Sequence, residues 1–175
     1  MKKKGGYTLI ELIVAVGLFA MVMLLASGAY IMMIGLNRQA QGLATGIDNL
    51  SFALETMTRN IRTGGGYNCG GLGDCIGGAS SFSFKNEGGA TVSYALAGSA
   101  LQETIAGIQS NLTDPLSVTV TSLTFYVFGT KTPAQGDYQQ PHVTITVSGT
   151  VSIGPGKPAQ SFTIETGATM RGSDL

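Results

Sequence analysis

Histidine occurs once in 175 residues, at His142, and cysteine only twice, at Cys69 and Cys75. So thin a supply leaves no His-Glu-x-x-His pair, and no Gly-x-Ser-x-Gly elbow or carboxylate pair in one evident element accompanies it. His142 follows Pro141 at the start of an apolar alternation and reads as a structural residue. Clustered acids are missing as well: Asp74, Glu87, Asp114 and Asp137 are scattered, which makes no calcium loop. No cofactor, no metal and no enzymatic activity are therefore expected.

Charge is scarce too, at 11% of residues, with ten cations against ten anions. Without Lys2, Lys3 and Lys4 the balance is seven against ten, a formal −3. That leaves no basic surface for nucleic acid. Asn111-Leu112-Thr113 matches a glycosylation triplet and is read as coincidental. With 26 glycines and few charges, the composition suits a packed extracellular assembly better than a highly solvated enzyme.

What the chain does have is a run of 25 residues, Leu12 to Leu36, with no charged side chain. More than about 18 such residues can cross a bilayer core of about 30 Å as a helix. Lys2, Lys3 and Lys4 precede it, whereas Arg38 and Asp48 follow, so the positive-inside bias keeps the N-terminus cytoplasmic and the remainder outside. A secretory signal peptide has a shorter core, and apolar residues resume at once after its imitation cleavage site at Ala26-Ser27-Gly28. An uncleaved single-span anchor accounts for everything except Glu11, a lone carboxylate at the mouth of the run. Ionisable groups at membrane depth cost about 2.5 to 3.5 kcal/mol on insertion scales and call for a partner.

Lys4-Gly5-Gly6-Tyr7-Thr8-Leu9-Ile10-Glu11-Leu12, running straight into the apolar helix, resembles the processing signal of type IV pilins and type II secretion pseudopilins. The resemblance implies cleavage between Gly6 and Tyr7 by a prepilin peptidase on the cytoplasmic side, followed by N-methylation of Tyr7. Tyr7 stands where phenylalanine is commonest, and the family's frequent mid-span proline is replaced by Gly28. A liberated Tyr7 amine at membrane depth needs a counter-charge, because an unpaired buried charge is strongly unfavourable. Glu11 supplies one. In a helical bundle the carboxylate of one subunit would meet the amine of its neighbour and fix the axial stagger, so Glu11 is read as an assembly residue and not an acid-base catalyst. Gly17, Gly28 and Gly35 would allow helices to approach closely.

Leu36, Ala40, Leu43, Ile47, Leu50, Leu54, Met57 and Ile61 continue the helical period beyond the span. From Tyr7 to Arg62 the helix would be about 84 Å long. Gly42 and Gly46 should weaken it by about 1 kcal/mol each. Arg59, Arg62 and Gly64-Gly65-Gly66 predict its end near Thr63. Helix packing on a sheet is preferred here to a coiled-coil seam.

Residues 64–78 read as a glycine-punctuated loop, unlike a phosphate cradle because it follows a helix. Cys69 and Cys75 face the oxidising side, where a disulfide closing so small a loop contributes about 2 kcal/mol; a two-cysteine metal site is the alternative. Period-two segments then predict strands at 81–85, 91–96, 116–120, 123–128, 142–147 and 161–165. Together they form an antiparallel sheet whose buried face the helix covers. A loop from Gly129, flanked by Asp137 and Pro141, is expected to be exposed.

The expected fold is α+β: a leader (1–6), an apolar transmembrane and assembly helix (7–36), an amphipathic helix (37–63), and a glycine-rich loop with a sheet head (64–175). Residues 54–62, 92–101, 120–125 and 141–147 are similar to minor pseudopilin J and the W-type minor pilins, a resemblance that implies a low-copy subunit priming or capping a filament. Its partners would be other pilin or pseudopilin subunits, the prepilin peptidase, an inner-membrane assembly platform and, before assembly, lipid. A single-span anchored binding module that never polymerises is the alternative from another class.

Overall fold

The computed structural model describes residues 6–71, 73–131, 137, 139–154 and 156–171. Lys2, Lys3 and Lys4 lie outside them. Among the described residues one helix, α1 (Leu9–Thr63), precedes nine strands. The strands are β1 (Gly65–Asn68), β2 (Cys75–Ala79), β3 (Ser81–Lys85), β4 (Thr91–Ala97), β5 (Ala100–Ile105), β6 (Ile108–Asn111), β7 (Val118–Phe128), β8 (His142–Val151) and β9 (Gln160–Thr169). The chain divides into two compact units, Met1–Ala40 and Gln41–Leu175.

In the first unit every residue from Leu9 to Ile34 is exposed. The helix there is long and apolar enough to cross a membrane. Its backbone bonds are satisfied internally and its apolar side chains are exposed, a combination suited to lipid or to similar helices.

The second unit holds the core. Leu50, Ala53, Leu54, Met57 and Ile61 of α1 are buried with Phe82, Phe84, Val92, Tyr94 and Leu101, and with Phe125, Val127, Val143, Ile145 and Val147. Phe82 stacks on Phe125 with ring centroids 5.4 Å apart. Val143, Ile145 and Val147 point inward while Thr144 and Thr146 are half-buried, the alternation that a one-sided sheet requires.

Three expectations are corrected. The single sheet is two: a five-stranded sheet in the order β1-β3-β4-β5-β6 and a four-stranded one, β2-β7-β8-β9, antiparallel throughout. The predicted strands at 116–120 and 123–128 are one strand, β7, with a register shift between Val120 and Ser122. Leu116 lies outside it and is 88% exposed. Asp114 explains why: its carboxylate accepts from Leu116 N (3.0 Å) and Ser117 Oγ (2.9 Å), making a side-chain turn that competes with strand pairing. The glycine-rich loop contains two strands, β1 and β2, on different sheets.

The helical stripe also turns from its expected line. Ile47 is 49% exposed, and Gly46 is buried in its place. A Cβ at Gly46 would collide with the Val151 side chain, and one at Gly42 would lie 3.2 Å from the Ile153 backbone. These two glycines therefore admit the end of β8 and the chain after it. Their helix-weakening cost is the counterpart of close packing.

At the other end of β8, Gly129 and Pro141 are buried at the two ends of a loop whose interior is mostly outside the described residues. The β5–β6 turn has positive φ at both central residues, Ala106 (49°) and Gly107 (87°), which matches the right-handed twist of the flanking strands.

Candidate functional site

The helix begins at Leu9 because Thr8 and Glu11 cap it. Thr8 Oγ1 accepts from Glu11 N (3.3 Å), and Glu11 Oε2 accepts from both Thr8 N (3.0 Å) and Thr8 Oγ1 (2.9 Å). This is the reciprocal capping box of Thr-x-x-Glu, which satisfies two of the first turn's orphan N–H groups. Both bonds to the carboxylate end on Oε2, so Oε1 carries neither of them. Thr8 was missed as a participant, although Thr8-Leu9-Ile10-Glu11 before an apolar run is a sequence-level signature.

Gly6 and Tyr7 lie before the helix, and Tyr7 is 91% exposed. Their peptide bond lies outside the helix. The capping box starts one residue further on, so it survives loss of residues 1–6 intact.

Cys69 and Cys75 form a disulfide, with Cα atoms 6.5 Å apart. With both sulfurs bonded to each other, the two-thiolate metal site falls away. The bond sits where the chain leaves the five-stranded sheet after β1 and joins the four-stranded one at β2. Asp74 fastens the same crossing: its Oδ1 accepts from Thr130 N and Thr130 Oγ1, each at 2.9 Å. The backbone donor at Thr130 holds the Asp74 carboxyl below the usual aspartate range.

A buried polar cluster was not foreseen. Tyr94 OH donates to Glu103 Oε1 (2.9 Å), and Asn60 Nδ2 donates to Glu103 Oε1 (3.1 Å) and to Tyr94 OH (3.0 Å). Asn60 belongs to α1, Tyr94 to β4 and Glu103 to β5, so the cluster ties helix to sheet. Burial is the main cause raising the Tyr94 phenol above its ordinary range. The one available signal was period: Glu103 falls two residues after buried Leu101, on the inward face of a strand.

His142 has both ring nitrogens engaged, Nδ1 with Thr169 Oγ1 (3.0 Å) and Nε2 with Thr144 Oγ1 (3.3 Å). Such a pairing across β8 and β9 fits a structural residue. Among the described residues no group of three or more His, Cys, Asp or Glu is arranged to hold a metal ion.

A long N-terminal helix whose later part packs on antiparallel sheets is an α+β, pilin-like layout. Residues 1–27 match the family model of the prokaryotic N-terminal methylation motif, which supports the type IV pilin family and a membrane-anchored prepilin. The match covers the processing signal and the start of the span, and does not extend to the features that distinguish minor pseudopilins. No curated protein and no solved structure matches the chain.

Proposed function

We propose that the chain is a structural subunit, of the minor class, of a type IV pilus or a type II secretion pseudopilus. It is made with its N-terminus in the cytoplasm and its head outside, cut between Gly6 and Tyr7 by a prepilin peptidase, and N-methylated on Tyr7. Its apolar helix then leaves lipid for a bundle of similar helices on an inner-membrane platform. The observation that carries this reading is the methylation motif at residues 1–27 joined to an apolar helix whose side chains are exposed from Leu9 to Ile34.

Glu11 is the assembly residue in this scheme. Within a monomer its Oε2 closes the capping box, and Oε1 is available for the Tyr7 amine of a neighbour. The partial positive charge at the helix N-terminus favours the ionised carboxylate, and that negative charge is what attracts the amine.

Co-expression with a prepilin peptidase tests the proposal. Intact mass should show loss of residues 1–6 and gain of one methyl group, and Glu11→Ala should be processed but excluded from filaments. An intact Met1 start despite active peptidase would instead identify an anchored module that never polymerises.

A further inference from the structure

After Gly6 the chain has seven cationic residues, and three of them line one cleft. Arg59 and Arg62 come from the last turns of α1 and Arg171 follows β9; with Gln140 and Thr169 they border a cleft of about 600 Å³ within the head. Glu55 also lines it, but its carboxylate is held by Arg59 at 2.8 Å. Among the described residues no carboxylate pairs with Arg62 or Arg171.

Arginines at a helix end ordinarily serve the helix's own last carbonyls. Here three of those acceptors have other donors. Asn60 O accepts from Gly64 N (3.1 Å), Ile61 O from the Tyr67 hydroxyl (2.7 Å), and Arg62 O from Arg171 N (2.8 Å). The last of these bonds brings the Arg171 backbone to the helix end, so both side chains start from adjoining points on the cleft wall. None of these three carbonyls is capped by a guanidinium group. The chain's general charge, which is anionic after Gly6, does not account for these arginines.

We infer that this cleft binds a compact oxyanion, a phosphate or carboxylate group, between Arg62 and Arg171. A guanidinium offers parallel N–H donors that match either group in bidentate fashion. Thr169, whose hydroxyl is positioned by His142, and Gln140 supply neutral polar groups beside the charge. The site does not depend on processing or polymerisation.

The test uses the full chain in uncharged detergent, following arginine Nε–Hε signals by NMR during titration with inorganic phosphate and, separately, with citrate. Saturable shifts at Arg62 and Arg171 are expected, with binding weakened tenfold or more in the Arg62→Gln/Arg171→Gln double variant and unchanged in Lys157→Gln. Tighter phosphate binding would assign a phosphate-bearing ligand, and tighter citrate binding a carboxylate-bearing one. Both arginines are exposed, and the amide spectrum of the head checks that the double variant stays folded. Shifts that remain linear with both anions, or equal affinity in the double variant, would overturn the inference.

Discussion

Replacing Tyr94 by phenylalanine removes one oxygen from the buried cluster and changes how the head responds to alkali. The Tyr94 side chain is 1% exposed, and its hydroxyl both donates to Glu103 Oε1 and accepts from Asn60 Nδ2. Asn60 still reaches Glu103 in the variant, so the carboxyl keeps one donor of two. Losing a buried hydrogen bond to such a group costs about 1 to 3 kcal/mol at pH 8.

The pH dependence separates this account from mere loss of packing. Because burial raises the Tyr94 pKa in the folded protein, the neutral phenol's contribution is complete below the unfolded value and falls as pH rises above it. An unfolded tyrosine ionises near pH 10, so by pH 11 the wild type should lose about 1.4 kcal/mol through this group. Phenylalanine has no proton to lose, so the stability gap between the two proteins should narrow by that amount from pH 8 to pH 11. Denaturant unfolding of the full chain in detergent, followed by head-specific near-ultraviolet signals, measures both gaps. A gap that is pH-independent, or below about 0.5 kcal/mol at pH 8, would refute the reasoning.

Two further perturbations address the disulfide and the β5–β6 turn. Cys69→Ser/Cys75→Ser should lower head stability by about 2 kcal/mol, the loop-closure value for so short a ring. A reductant should reproduce that loss in the wild type and leave the double variant unaffected, as read by unfolding midpoints. Ala106 sits at φ 49°, where a Cβ costs about 1 to 2 kcal/mol, and Asn tolerates this region better. Ala106→Asn should therefore raise the thermal midpoint by several degrees in a calorimetric scan; an unchanged or lower midpoint would show that the turn is not strained.

Local pattern was enough for much of this molecule. The uncharged run from Leu12 to Leu36 and the alternation in β3, β4, β8 and β9 are each set by neighbours within a few residues. Their meaning does not depend on what lies across the core. The processing motif belongs to the same group, since a peptidase and a membrane act on a short linear segment.

Pairing and close approach were decided elsewhere. β5 was hidden because Glu103 occupies an inward position, and only Asn60 and Tyr94, 43 and nine residues away, make a carboxyl acceptable there. Gly42 and Gly46 looked like weak points in a helix until Ile153 and Val151 were found against them. The division into two sheets arises where β1 and β2 part, at a disulfide whose ends are six residues apart in sequence. Segment composition settles the long helix, its membrane-length apolar run and the strands with regular alternation, because those choices follow from backbone preference and solvent; the strands without that alternation, which polar group can be buried, and which glycine is required depend on atoms that only the folded head brings within reach.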